Sequence, residues 1–384
     1  MLEYHHLTAR QEQFVKLADD LAASHRSRAD AFDRHNELPL ESYRELKASG
    51  YASLTVPERF GGLGANLLEF VLAHSRLSMG DASVALGAAM NAHVLGSANG
   101  AQSWPEALLE RIGHDVVTRG ALVNAIASEP ELGSPSRGGA FRTIAHKVEG
   151  GWEITGRKTW ATGGEMIDYF VVHASLEGQH TGTGKLIVPA TAPGLHLEAT
   201  WTDALAMRSS AAHDAIFEHV FVPDDLFIPS APSEPNSSAW FWSSMAATYL
   251  GVGWAALEEM TRYAKSRVPS ALGKPISSLE NVQCNIGEME LSLKAAQLLL
   301  LEATGRWSEN LEDHNSLLPL LAGAKYACTN AAIHVTDLAL RTAGGGSLTR
   351  ATTLERHFRD ARAGLAHPPA DDLALAMIGR SRLG

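Results

Sequence analysis

Cysteine is scarce in this chain. Only Cys284 and Cys328 occur among its 384 residues, and there is no Cys-x-x-Cys pair. The sequence therefore supports neither a disulfide framework nor a thiolate metal site, and it predicts a reducing, cytoplasmic environment. The 17 histidines are scattered, with His5-His6 as the only adjacent pair, so no metal site is predicted from them either.

Long apolar runs and an excess of basic residues are also missing. No run reaches the roughly 18 apolar residues that a membrane span needs, and the start of the chain mixes charged residues into its apolar positions, unlike a signal peptide. The net charge of -11 argues against a surface for nucleic acid or for an anionic membrane. With 45% hydrophobic residues, the chain can bury cores for two or three domains.

Hydrophobic periodicity divides the chain into three regions. Thr8 and Gln11 form a capping box before a first helix, and helical spacing continues through the first third of the chain. From about Leu122, short alternating runs predict strands of an antiparallel β domain. After the Pro- and Ser-rich segment 229–238, long helical patterns predict a helix bundle. The expected fold class is α+β, with these domains: 1–118 (helical), 119–232 (β) and 233–384 (helix bundle).

Two segments of the middle region contain side chains suited to a flat cofactor. Residues 151–162 follow the pattern Gly-Trp-x-x-x-Gly-x-Lys-x-Trp-x-Thr, and residues 127–134 read Ala-Ser-Glu-Pro-Glu-Leu-Gly-Ser. The ring of Trp160 can cover an aromatic cofactor, and the hydroxyl of Thr162 can hydrogen-bond its edge. Taken alone, the two segments are equally compatible with a packed hairpin and a Ser-rich loop.

The C-terminal region supplies a third motif. Residues 354–362 read Leu-Glu-Arg-His-Phe-Arg-Asp-Ala-Arg, and a glycine turn at 343–346 precedes them. Together with the two middle segments, this order of motifs resembles the acyl-CoA dehydrogenase superfamily, flavoproteins that desaturate acyl thioesters. The resemblance implies an N-terminal helical domain, a central antiparallel β domain and a C-terminal four-helix bundle. It also implies FAD, with FMN as the alternative, held partly across the interface of a homodimer or homotetramer.

The resemblance assigns roles to individual residues. Flavin contacts are implied for Ser128, Trp160, Thr162, Arg267, Gln283, Gly344 and Gly345. Substrate contacts are implied for Ser134, Phe241 and Trp242. Pro135 replaces the aspartate that usually follows the substrate-side serine. The two aromatic residues would line the acyl side of the cavity or belong to the core of the bundle.

The usual catalytic carboxylate of the family is absent. Alignment from Arg359-Asp360 puts Pro368 at its position, and the alternative position in some relatives falls at Phe241 or Trp242. His367 is one remaining candidate, because imidazole titrates near neutral pH and flavin-dependent monooxygenases of this fold carry a histidine in the same loop. Asp371 is another candidate, although an acid directly after Pro-Pro also suits the first turn of a helix.

Three functions stay open on the sequence alone. The first is FAD-dependent oxidation of an acyl-CoA, a carrier-protein thioester or a related small molecule, with an atypical base or none. The second is a monooxygenase that uses reduced flavin, with His367 near the reacting oxygen. The third is a non-catalytic flavin or thioester binder, because a fold does not fix a function. The sequence names neither the substrate nor the electron-transfer partner.

Overall fold

Helices form the two ends of the chain and a mixed sheet forms its middle. The computed structural model describes residues 6–101, 104–132, 140–177, 182–229, 235–309 and 313–384. In those ranges the α, β, α order expected from the sequence is confirmed. None of the helices described there combines the length and apolar character needed to cross a lipid bilayer.

The N-terminal region is helical because its apolar residues recur at helical spacing and its helices have defined starts. Its helices are α1 (Ala9–His35), α2 (Leu40–Ala48), α3 (Leu67–Ser78), α4 (Ala82–Ala101) and α5 (Glu106–Arg119). The predicted capping box is present at α1, where the Thr8 side chain accepts from the backbone N–H of Gln11. Asn66 and Glu69 form a second capping box at α3.

The middle region is one eight-stranded sheet within the described residues. Its strands are β1 (Val123–Ile126), β2 (Ile144–Val148), β3 (Gly151–Ala161), β4 (Tyr169–Glu177), β5 (Gly182–Pro189), β6 (Leu195–Glu198), β7 (His213–Pro223) and β8 (Phe227–Pro229). The order is β6-β7-β3-β2-β4-β5-β8, and β1 pairs with β4. Most pairings are antiparallel, as expected, but β1 and β2 both run parallel to β4. The two long strands β3 and β7 pair with each other, and the pairing contains a β-bulge near the end of β3.

The C-terminal region is built on three long helices. Its helices are α6 (Pro235–Ser266), α7 (Glu280–Glu309), α8 (His314–Ala343), α9 (Leu354–Ala363) and α10 (Asp371–Leu383). Helix α6 packs against α7 and α8 and also against α3 and α4 of the N-terminal region, so it is buried over most of its surface. Helices α9 and α10 pack on α8, and the loop between them faces α6.

Candidate functional site

A half-exposed tryptophan marks the β-domain side of the site. Trp160 lies near the end of β3 with 52% of its surface exposed, and its φ of 63° is uncommon for a residue other than glycine. A β-bulge produces this conformation, since the pairing of β3 with β7 shifts register between Lys158 and Ala161. The side chain of Thr162 is buried beside it. An exposed indole held in a strained backbone suits an aromatic surface that stacks on a flat ligand.

Ser128 is tied to the same hairpin through its backbone. Its carbonyl oxygen accepts from the N–H of Thr159 at 2.9 Å. The side-chain amide of Asn124 donates to the carbonyl of Thr162 at 2.9 Å. The structure therefore places Ser128, Trp160 and Thr162 around one short stretch of β3.

A buried ion pair fixes this part of the β domain. Nζ of Lys158 donates to Oε1 of Glu129 at 2.7 Å, with side-chain exposures of 0% and 1%. Burial raises the pKa of Glu129, but Lys158 and the backbone N–H groups of Arg142 and Thr143 outweigh it, so the net pKa is lowered. Burial lowers the pKa of Lys158 to about 8, against the effect of Glu129. Both groups are therefore charged at neutral pH, and they hold β3 against the segment that carries Ser128.

A second group of the sequence-predicted residues lies at one end of the helix bundle. Arg267 follows the end of α6, is exposed, and makes no ion pair with any residue in the described ranges. Gln283 is exposed near the start of α7. A Cβ added at Gly344 or Gly345 would meet no atom within 4 Å, while one at Gly346 would lie 3.2 Å from the hydroxyl of Tyr263 on α6. The first two glycines are thus not required by packing within the chain, which leaves their backbone open to close approach by a ligand.

The loop between α9 and α10 places His367 against α6. Its Nδ1 lies 2.8 Å from Oη of Tyr249, and its ring centroid is 6.4 Å from that of Phe241. Burial, followed by the positive charge of Lys325, lowers the pKa of His367 to about 4, so the imidazole is neutral at neutral pH. Burial and, to a smaller extent, Asp360 raise the pKa of Tyr249 well above its ordinary value. The loop therefore presents a neutral Tyr–His pair at the place where the resemblance predicts a carboxylate.

Lys325 clamps that loop from α8. Its fully buried Nζ donates to the carbonyl oxygens of Gly364 at 2.9 Å and Pro369 at 3.0 Å. Burial lowers the pKa of Lys325 to about 8, and the carboxylate of Asp371 acts in the opposite direction, so the amine is charged at neutral pH. Because the two carbonyls flank His367 in the chain, this single cation fixes both ends of the segment that carries the imidazole.

Asp371 takes part in helix packing. It begins α10, and its Oδ2 accepts from the side-chain amide of Asn330 on α8 at 3.0 Å. A carboxylate in the first turn of a helix is also stabilised by the helix dipole. These contacts favour the helix-start alternative for Asp371, while its Oδ1 is buried without a hydrogen-bond partner among the described residues.

The structure separates the aromatic residues that the sequence predicted as substrate contacts. Trp242 is buried in the main hydrophobic core. Phe241 is less buried and contacts His93 edge to face, with ring centroids 5.1 Å apart. Phe241 is therefore the one of the two that reaches the His367 loop. Ser134 lies outside the described residues.

Sequence reasoning gave no role to three groups that the structure places at the site. Tyr249 lies within an apolar helical run, and nothing in that run indicates a partner 118 positions away. Lys325 is similarly remote from its loop partners. The Lys158–Glu129 pair joins two of the motif segments, but several other charged residues in those segments are equally prominent in the sequence.

These features define a class of protein. The chain combines a helical, β, helical order with an exposed indole at the end of β3 and an open glycine turn, and it is a flavin-dependent oxidoreductase. Family models for the acyl-CoA dehydrogenase N-terminal, middle and C-terminal domains match residues 8–108, 124–220 and 243–371.

Individual proteins agree with those matches. The chain is 34% identical to the putative acyl-CoA dehydrogenase YdbM of Bacillus subtilis, over 95% of both proteins. Butyryl-CoA dehydrogenase from Megasphaera elsdenii superposes with a TM-score of 0.87 at 24% identity, over the full length of both chains. The FMN and indole complex of TdsC from Paenibacillus sp. A11-2 superposes with a TM-score of 0.87 at 21% identity, over 97% of both. The chain belongs to the acyl-CoA dehydrogenase family.

Proposed function

We propose that this protein is an FAD-dependent oxidoreductase acting on a compact acyl thioester or a related small molecule, without the carboxylate base of its relatives. The observation that carries the proposal is the Tyr249–His367 pair, which occupies the loop where that base is expected. Residues 1–118, 119–232 and 233–384 would serve as its three domains. The thioester would be presented by coenzyme A or by a carrier protein.

The residues present fit a flavin in two places. The exposed indole of Trp160 would cover the ring system, with Ser128 and Thr162 at its edge. Arg267, with no ion-pair partner in the described ranges, offers a fork of N–H donors to a pyrophosphate. Gln283 and the open backbone of Gly344 and Gly345 would approach the adenylate half. The second group favours FAD over FMN, and we place it on the neighbouring subunit of a homodimer or homotetramer.

In acyl thioester oxidation, a proton leaves the α-carbon and a hydride leaves the β-carbon as their double bond forms. A bound flavin supplies the hydride acceptor. The α-proton would pass to solvent water, because the usual base is absent and the His367 loop is partly exposed. His367 would donate a hydrogen bond to the thioester carbonyl, while Phe241 would limit the room for an acyl chain. A general base contributes about 10²- to 10⁴-fold to such steps, so oxidation without the carboxylate is expected to be slower than in relatives that carry it.

Monooxygenation with reduced flavin is the second candidate. Two observations favour it. His367 is neutral at neutral pH, and Asp371, the nearest carboxylate after the loop in sequence, accepts a hydrogen bond from Asn330. TdsC, a dibenzothiophene monooxygenase, shares the fold. In this reaction no α-proton is removed, so a loop without a free carboxylate is sufficient.

An anaerobic titration tests the proposal. The purified protein, reconstituted with FAD, is mixed with a panel of short and aromatic acyl-CoAs, and the flavin absorbance is followed. Bleaching by an acyl-CoA supports dehydrogenation. Oxygenated product after chemical reduction and admission of air supports the monooxygenase. A protein that binds flavin but gives neither response, with thioesters or free small molecules, would be a binder and would overturn the proposal.

Trp160→Ala is expected to weaken flavin binding about tenfold. The replacement removes a stacking surface, and aromatic pairs contribute about 0.5–1.5 kcal/mol beyond the area that they bury. Fluorescence titration of the apoprotein with FAD measures the effect. Phe221→Ala is the matched control, because Phe221 is another aromatic residue of the sheet with 52% of its surface exposed. Equal affinities for the two variants would exclude Trp160 from the flavin site.

A further inference from the structure

The hydrogen bond between Tyr249 and His367 determines which ring nitrogen carries a proton. Oη of Tyr249 is buried, and within the described residues its hydrogen-bond partner is Nδ1 of His367, at 2.8 Å. A buried hydroxyl that does not donate its proton is unfavourable, and here the proton has one described acceptor. The hydroxyl therefore donates to Nδ1. A neutral imidazole that accepts at Nδ1 has its single proton on Nε2.

The charges around the loop keep the ring neutral. Lys325 is clamped to the two carbonyls that flank His367, and its charge opposes a second proton on the imidazole. The carbonyl of Ala363 acts in the opposite direction but is the weakest of the influences on His367. Asp371 lies near Lys325, and Asp360 lies near Tyr249.

We propose that Tyr249 is a positioning residue that holds His367 in its Nε2–H tautomer, so that His367 gives its ligand a hydrogen-bond donor and not a base. The proposal rests on the proposed function, because that function puts His367 at the reacting group. A donor there recognises a substrate with an oxygen acceptor, such as the carbonyl of a thioester or the oxygen that a monooxygenase transfers. It cannot take an α-proton at Nε2 until that nitrogen has lost its own.

Tight packing around Gly364 holds the loop close to Tyr249. Gly364 passes so close to Tyr249 that an added Cβ would lie 3.1 Å from the tyrosine ring, and 3.0 Å from the Thr329 side chain. The chain therefore runs between α6 and α8 with little freedom, and the imidazole cannot easily move away from the hydroxyl. Tyr249→Phe keeps this packing and removes only the donor.

Nitrogen NMR of the flavin-bound, full-length protein labelled with ¹⁵N-histidine tests the proposal, with His367→Gln used to assign the resonance. The expected wild-type signals are an unprotonated, hydrogen-bonded Nδ1 and a protonated Nε2. In Tyr249→Phe the same ring is expected to shift to a mixture of both tautomers. Tyr51→Phe is the matched control, because the Tyr51 hydroxyl lies 3.1 Å from Nδ1 of His74, a separate buried pair. That variant should leave the His367 signals unchanged.

A protonated Nδ1 in the wild type, or the same tautomer before and after Tyr249→Phe, would overturn the inference. Flavin content is measured on the same samples, so that failure of the proposed function can be distinguished from failure of the role proposed for Tyr249. If the protein takes up no flavin on reconstitution, the proposed function fails, whereas the apoprotein still reports the tautomer. If flavin is bound and Nδ1 carries the proton, the function stands and the role of Tyr249 falls.

Discussion

Glu129→Gln is expected to lower the free energy of unfolding by about 3–5 kcal/mol, one of the largest effects of a single substitution in this chain. The change leaves the Lys158 ammonium fully buried without its carboxylate partner. It also weakens the hydrogen bonds from the backbone of Arg142 and Thr143, since an amide oxygen attracts N–H groups less than a carboxylate does. Urea unfolding of the apoprotein at neutral pH measures the loss.

The double variant Glu129→Gln with Lys158→Met should recover most of that loss, because it removes the unpaired charge as well. Asp20→Asn is the surface control. Asp20 pairs with Lys16 at 2.8 Å in an exposed ion pair, so its replacement should change stability little. A Glu129→Gln variant as stable as Asp20→Asn would show that the buried pair does not support the fold.

The same pair gives a pH dependence with a defined sign. The pKa of Glu129 is lower in the folded protein than its ordinary value. Its contribution to stability is therefore complete above the ordinary carboxylate pKa and is lost as the pH falls through the lowered one. The stability of the wild type should therefore begin to decrease as the pH falls through the range where free glutamate titrates, and Glu129→Gln should lack this component.

Much of the fold could be predicted from local patterns. The Thr8 capping box and the apolar spacing of Leu40–Ala48 each define a helix start or extent that depends only on nearby residues. The long bundle helices also follow the helical patterns predicted after segment 229–238. The parallel pairing of β1 and β2 with β4 was not predicted, because register between distant strands depends on tertiary packing and leaves no local alternation to read.

The candidate site was predictable only where a motif carries it. Trp160 and Thr162 were singled out because their hairpin resembles a family motif, although the bulge and the left-handed backbone of Trp160 were not predicted. Tyr249 and Lys325 form hydrogen bonds with the His367 loop from two different helices. Both residues are distant from the loop in the sequence, so no local sequence pattern indicates these contacts. Their roles follow from the geometry of buried hydrogen bonds, which the sequence alone does not give.

His367→Ala is expected to reduce turnover by about 10²- to 10³-fold once a substrate is identified, because the variant removes a hydrogen-bond donor to the charge that develops on the substrate oxygen. Flavin content should stay the same, since we propose that the flavin is bound by Trp160 and by residues at the end of the bundle. His146→Ala is the control: His146 is an exposed residue of β2, away from the loop. Steady-state kinetics of the reconstituted variants measure both effects, and a His367→Ala enzyme as active as His146→Ala would remove the imidazole from the chemistry.

The pH dependence of the wild type adds a test of the neutral state of the His367 ring. With a pKa of about 4, the His367 ring is neutral across the range where an ordinary histidine titrates, so turnover should not fall on its account near pH 6.5. The histidine nitrogen signals should show an inflection only as the pH approaches the lowered pKa, where Nδ1 gains a second proton and loses the hydrogen bond from Tyr249. Lys325→Met removes the nearby cation, and it should move that inflection toward higher pH. A wild-type inflection at the ordinary histidine value that disappears in His367→Ala would show instead that the ring is solvated and charged in the working enzyme, and the neutral Tyr249–His367 pair would then not describe its active state.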